Sequence, residues 1–127
     1  MIKSSIVTGS TITSPTLAYT STTTGAPVGG LVTGQTNAIT TIILCNTGAP
    51  SATDETVNSV NVNIYLVSPS KGGTVGVGTL VVSNLTVPAG ETVFFSEERI
   101  VLDSGDQIWV GANAANLITV TVSSLPV

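Results

Sequence analysis

The sequence predicts an all-β protein in which two antiparallel sheets pack face to face, with seven to eight strands. Val, Ile and Thr dominate the chain, and these β-branched residues favour the pleated surface of a strand. Gly, Pro and Asn interrupt the apolar alternation about every ten residues, a spacing typical of sandwiches and barrels. No segment shows the apolar repeat of an amphipathic helix, so no crossover helix is expected and the strands should be antiparallel.

The first part of the chain differs from the rest, which divides the sequence into an N-terminal arm or edge strand with a loop over 1–36 and a β-sandwich domain over 37–127. Ser, Thr and Gly dominate the first part. Alternation predicts one strand over 16–23, followed by an irregular loop over 24–36. Two interpretations stay open: a frayed edge strand with a long loop, or an extended arm that adds itself to a neighbouring subunit's sheet edge.

The alternation is clearer after residue 37, where seven more strands are expected. A bulge is expected near Ser83-Asn84, and Pro88 to Glu91 forms a tight turn. The predicted strands cover 38–45, 60–66, 80–87, 92–95, 99–102, 107–111 and 118–123.

The strand over 60–66 has the strongest pattern. Its apolar residues, such as Val62 and Ile64, recur at every second position and predict the face that lies in the core. Asn61, Asn63 and Tyr65 alternate with them, and we expect these three to face solvent.

The charge content excludes several classes of function. The chain has three Lys and Arg, seven Asp and Glu, and no His, which gives a net charge of −4. The commonest general base and metal ligand is therefore missing, and we expect no enzyme, no cofactor and no metal site. So few cations also argue against nucleic-acid binding and against anionic membranes. With 8% charged residues, the chain is expected to bury surface by forming a homo-oligomer.

The cellular setting is predicted from cysteine and hydropathy. Cys45 is the single cysteine, so no intrachain disulfide is expected. The first residues lack the apolar stretch of a secretory signal, and no run has the length of a membrane helix. These features predict synthesis in a reducing cytoplasm.

Several motifs are better explained by structure than by chemistry. The turn from Asp103 to Asp106 has too few carboxylates for calcium and is expected to cap nearby N–H groups. Glu97-Glu98 is expected to be a solvated edge rather than part of an acid–base pair. Cys45 has no base to activate it and is expected to be a small buried residue at a strand end. The glycines after Lys71 do not match a phosphate-binding loop.

The candidate interface residues are apolar or aromatic side chains in the arm and on outward strand positions. Trp109 alternates with core residues, so a loop half covers it or it anchors an interface, since Trp is enriched at binding hot spots. The full candidate set is Ile6, Ile12, Tyr19, Tyr65 and Trp109.

Four segments, taken in order, resemble small virion structural proteins of tailed bacteriophages. In that group a strand of the type I-x-L-x-N-T precedes a V-x-I-Y-L-V-P strand, a turn L-x-x-G-E, a corner L-x-x-G-D-x-I and a final Val/Thr strand. The segments here are NAITTIILCNTG, VNVNIYLVSPSKGG, NLTVPAGETVFF and IVLDSGDQIWVGANAANLITVTVSSL. The resemblance implies an Ig-like sandwich used in many symmetric copies on a virion, with no catalytic residues.

These observations lead to a hypothesis of a non-enzymatic subunit of a bacteriophage virion, made in the host cytoplasm. The first expectation is a capsid decoration or cement subunit that bridges neighbouring copies of the major capsid protein. The alternatives are a neck, collar or tail component and, from another class, a carbohydrate-binding sandwich. The last normally shows a cluster of exposed aromatic side chains, whereas Trp109 stands nearly alone here.

Overall fold

The chain is all-β in a computed structural model that describes residues 1–21, 36–96 and 100–126. Nine strands within these ranges form two antiparallel sheets. Two short 3-10 helices, Pro69–Lys71 and Val77–Thr79, follow the fourth strand, and no helix in the described ranges could span a bilayer. The strands are β1 (Ile2–Ile6), β2 (Thr16–Thr20), β3 (Asn37–Asn46), β4 (Val60–Val67), β5 (Leu80–Val87), β6 (Thr92–Phe95), β7 (Ile100–Leu102), β8 (Gln107–Ala112) and β9 (Ile118–Pro126).

The strands pair as a set of nested hairpins. Sheet I has the order β1, β9, β3, β6, with β7 also pairing with β3, and sheet II has the order β2, β8, β4, β5. The innermost pair is β4 with β5; around it lie β3 with β6 and β7, then β2 with β8, then β1 with β9. The chain therefore runs as one long hairpin whose segments are distributed over the two sheets.

Each strand that the sequence predicts is present, with ends that differ by a few residues. The structure adds β1, so the count of seven to eight is not confirmed. The Ig-like order is not confirmed either, because that order places the first two strands together, whereas β1 and β2 lie in different sheets. The expected bulge in β5 is confirmed: the ladder to β4 shifts there, and Asn84 has a φ of 57°.

A single hydrophobic core lies between the sheets. Leu44 and Val120 reach it from sheet I, and Ile64, Ile108 and Val110 reach it from sheet II. Each of these side chains is at most 2% exposed, and burial of such a side chain stabilises the fold by about 1.5–3 kcal/mol. The alternation of apolar residues thus indicates which side chains lie in the core as well as where the strands are.

The described part of the N-terminal segment belongs to both sheets. β1 pairs along β9 from Ile2 to Ile6, and β2 pairs with β8. Val7, directly after β1, lies in the core. The domain boundary at residue 36 stays a prediction, since the irregular loop expected before it falls almost wholly outside the described residues.

The outer side of β4 differs from the expectation. The alternation is right, because Val62 lies in the core, but Asn63 and Tyr65 are buried rather than solvent-facing, at 7% and 3% exposure. The chain segment 8–15 crosses this side of sheet II, and the Tyr65 hydroxyl donates to the Ile12 carbonyl oxygen at 3.4 Å. Alternation along a strand predicts which residues share a side. It does not predict whether a distant segment of the chain covers that side.

Candidate functional site

The outer side of sheet I is the broadest candidate surface, and we call it the open face. Core-facing residues of its strands alternate with residues that point away from sheet II. Ile43 of β3, for example, lies between Thr121 of β9 and Phe94 of β6 in the ladder. The open face consists of Ile2, Ser4, Ile6, Ala38, Thr40, Thr41, Ile43, Cys45, Thr92, Phe94, Val101, Thr119, Thr121, Ser123 and Leu125.

No residue of the open face is charged. The charged side chains of the described ranges lie elsewhere: Lys3 is on the other side of β1, where its ladder partner is the core residue Val122. Lys71, the last residue of the first 3-10 helix, and Asp103 form an exposed ion pair of 3.6 Å. The open face can therefore meet an uncharged protein surface without stripping water from an ion, which is the costliest part of burying polar surface.

Hydroxyl groups form a stripe along the middle of the open face, and several already bond to one another. The Ser4 and Thr121 hydroxyls lie 2.9 Å apart. The Thr40 hydroxyl donates to the Ser123 oxygen Oγ at 2.9 Å. Groups that are paired within the chain lose little when water is removed from them.

Apolar side chains flank this stripe on both margins. Ile2 and Ile6 stand on β1 at one margin, and Phe94 and Val101 stand on β6 and β7 at the other. Ile2 is 72% exposed and Phe94 61%. Contiguous exposed apolar side chains around uncharged polar groups are typical of protein interaction surfaces.

The outer side of sheet II is different because the chain covers it. Tyr65 and Trp109 are ladder partners there, and the Asn63 amide nitrogen donates to the Tyr65 hydroxyl at 3.1 Å. The carbonyl oxygen of Ile12 lies against Gly111, where a side chain would have no room. The Trp109 indole N–H donates to the Gln107 side chain at 2.9 Å, and the ring stays partly exposed.

The five candidate interface residues occupy three different places. Ile6 lies on the open face; Ile12, Tyr65 and Trp109 come together on the covered side of sheet II. Tyr19 lies in the core at 2% exposure, and its hydroxyl donates to Ser124 Oγ at 3.2 Å. The role of these residues in an interface stays a prediction, although Tyr19 has no surface to offer in this arrangement.

The acidic turn has the structural role that the sequence predicts. The Asp106 carboxylate accepts hydrogen bonds from the Ser68 hydroxyl at 2.6 Å and from the Asp103 backbone N–H at 3.0 Å. Gly105 takes a φ of 93°, which glycine adopts without strain. Groups of three or more metal-ligating side chains do not occur in the described part of the chain, and Glu97 and Glu98 lie outside it.

Cys45 is not the buried residue that the sequence analysis expects. It is partly exposed on the open face, between Thr92 and Thr119, because its position in β3 alternates with the buried residues Leu44 and Asn46. Sequence reasoning also missed Ile2, Phe94, Val101 and Leu125, which are all exposed on this face. The alternation in β6 and β9 predicts which side chains point to the same side of the sheet. It does not predict that this side is exposed.

A cleft of about 290 Å³ opens between the sheets at the β5 and β6 edge. None of the described side chains that line it can take up or release a proton at neutral pH, so these residues offer no group for acid–base chemistry. The lining residues are Ile42, Ile64, Leu66, Val81, Val82, Phe95 and Ile100.

Comparison of the chain with known proteins found no matching protein-family model, no matching curated protein and no matching solved structure.

Proposed function

We propose that this protein is a non-enzymatic structural subunit of a bacteriophage virion, and specifically a capsid decoration subunit. The observation that carries the proposal is the open face, a broad, uncharged and partly apolar sheet surface. Contact of such a surface with water is unfavourable, and its burial against a protein partner is favourable. The resemblance of four segments to small phage structural proteins supplies the biological setting. The mechanism is mechanical, since each copy adds buried area between neighbouring capsid proteins.

The strand order supports this proposal by analogy. We infer that the sandwich is a jelly roll rather than an Ig-like domain, counting β6 and β7 as one interrupted strand opposite β3. Jelly rolls have two sheets and nested strand pairs, and they occur in viral capsid and lectin domains. One fold can host many functions, so the proposal depends on the open face rather than on the fold.

The test of the proposal is attachment to particles. Phage particles that lack the protein are mixed with the purified chain and sedimented, and the bound chain is quantified by mass spectrometry. Attachment in hundreds of copies supports decoration of the capsid, whereas about a dozen copies supports the alternative of a neck, collar or tail component, because symmetric rings have few subunits. Absence of the chain from the pellet at saturating concentration contradicts the proposal.

A second candidate function is carbohydrate binding, favoured by one observation. Trp109 is a partly exposed aromatic ring on an outer sheet side, and its indole N–H is held in place by Gln107. Saccharide stacking on Trp109 predicts quenching or enhancement of the fluorescence of this single Trp during glycan titration. A flat response over a broad glycan panel argues against this function and leaves the assembly proposal unaffected.

A further inference from the structure

We propose that the open face binds a second copy of this chain, open face to open face, as a two-fold symmetric dimer. This inference rests on the proposed assembly function: it assigns the open face to contact between decoration subunits, so capsid proteins contact other surfaces of the chain. Its basis is the arrangement of the open face: uncharged hydroxyl groups along β9 and at Thr40 and Thr41 of β3, with exposed apolar side chains on both margins.

The charge distribution favours a second copy over other partners. A charged partner surface would lose water against the open face and find no opposite charge among the described residues of that face, which is unfavourable. A suitable partner therefore presents an uncharged face of similar width. The open face of a second copy is such a face. In any symmetric assembly the local concentration of this chain is high, so a second copy is always nearby.

The order of side chains across the sheet is self-complementary. A two-fold axis in the plane of the interface, parallel to the strands, places β1 of one copy over β6 and β7 of the other. Ile2 and Ile6 then meet Phe94 and Val101, and the hydroxyl groups of β9 meet β3, which carries Thr41, Ile43 and Cys45 on this face. An axis across the strands places each margin over its own equivalent, so apolar residues meet apolar residues in either arrangement.

The size of the open face is sufficient for a specific dimer. Four neighbouring strands about 4.8 Å apart, with lengths near eight residues at about 3.4 Å each, give about 500 Å² per copy. A pair then buries about 1,000 Å², the level at which a biological interface is expected. The hydroxyl groups that are already paired, such as Ser4 with Thr121, reduce the cost of that burial.

The experiment compares two substitutions of exposed apolar residues by a charged one. Phe94→Glu buries one charge from each copy against an apolar margin of the other copy; Val77→Glu, at a residue 92% exposed in the second 3-10 helix, is the matched control. Oligomeric state is measured by analytical ultracentrifugation over a concentration series. We expect the wild-type chain and V77E to dimerise, and the dissociation constant of F94E to rise at least about 100-fold.

Cys45 gives a second readout that needs no substitution. As the single cysteine and a residue of the open face, it should react with a maleimide several times more slowly in the dimer than in the monomer. Reaction rates are therefore compared above and below the dissociation constant. Circular dichroism and denaturation confirm that F94E is folded; if it is unfolded, Thr121→Lys in the stripe takes its place.

Three results overturn the inference: a wild-type monomer at millimolar concentration, a dimer that F94E leaves intact, or Cys45 reactivity that is the same in monomer and dimer. Particle sedimentation separates this inference from the proposed function. If the chain binds particles as a monomer, the proposed function is supported and the dimer is contradicted. If the chain dimerises through the open face but binds no particle, the dimer is supported and the proposed function is contradicted.

Discussion

The side-chain oxygen of Asn63 accepts a hydrogen bond from the backbone N–H of Asn84 at 2.7 Å, across the β4–β5 ladder. Asn84 sits at the bulge of β5 with a φ of 57°, a conformation that asparagine adopts more readily than most residues. The bulge leaves this N–H without a ladder partner, and the Asn63 amide takes the place of a backbone carbonyl. A polar residue on the supposed solvent side of β4 is therefore part of the sheet's hydrogen bonding.

Asn63→Ala should destabilise the protein by about 1–3 kcal/mol, because it leaves the Asn84 N–H without its acceptor in a partly buried position. The measurement is chemical denaturation. Asn61→Ala is the matched control on the same side of the strand, where the Asn61 side-chain oxygen Oδ1 accepts a bond from the exposed Thr86 hydroxyl. We expect a loss below about 1 kcal/mol for the control. Equal losses would show that the Asn63–Asn84 bond is not what holds the bulge.

Ile64→Ala should cost about 2–5 kcal/mol, since it removes a core side chain and leaves a cavity between the sheets. Ile64 is 2% exposed and points into the core from β4. Val81→Ala on the neighbouring β5, at a side chain that is 55% exposed, should change the free energy of unfolding by less than about 0.5 kcal/mol. If I64A lowers the free energy of unfolding only slightly, Ile64 is not at the centre of the core.

Deletion of residues 1–15 should lower the melting temperature by at least about 10 °C or prevent folding. The deletion removes the β1 ladder and the core side chain of Val7, whose burial alone is worth about 1.5–3 kcal/mol. Ile2→Ser, at an exposed position of the same strand, should leave the melting temperature within a few degrees. A truncated chain that melts like the full chain would mean that the segment is an arm, as the alternative interpretation of the sequence has it.

The pKa of the Asp54 carboxyl lies below its ordinary value of 3.8, first because the Thr56 hydroxyl donates to it at 2.7 Å and also because the Thr56 backbone N–H donates to it. A lowered pKa in the folded state means that the carboxylate favours folding above the unfolded pKa. That contribution is lost as the pH falls through the folded pKa. Thr56→Val should move the Asp54 pKa up towards 3.8 in an NMR titration, and Thr53→Val should not.

Strand positions were predictable from this sequence because they depend on local alternation. β4 shows this most clearly, since Val60 and Val62 lie in the core as the pattern indicates. β1 was missed because its residues show little apolar alternation. The strand forms through its backbone ladder to β9, more than a hundred residues away in the sequence. Strand order depends on the same kind of distant pairing.

The candidate site was predictable only in part, for a related reason. The alternation in β9 shows that Thr119, Thr121 and Ser123 share a side, but both sheets have such a side. Segment 8–15 covers one of them, and nothing in its run of Ser, Thr and Gly indicates where it lies. Of the five candidate residues, Ile6 alone lies on the open face, because Tyr19 belongs to the core and Ile12, Tyr65 and Trp109 belong to the covered side of sheet II.

Gly111→Ala should destabilise the protein by about 1–3 kcal/mol, the usual cost of adding a methyl group where there is no room. The Ile12 carbonyl oxygen lies against Gly111, so a β-carbon there pushes segment 8–15 away from sheet II. Trp109, two residues earlier on the same side, should report that movement as a change in its fluorescence. Gly78→Ala is the control, because the space next to Gly78 is open and its stability and fluorescence should stay unchanged. A G111A protein that matches the wild type in both measurements would mean that segment 8–15 does not lie on this side of sheet II, and that the chain has a second uncovered face.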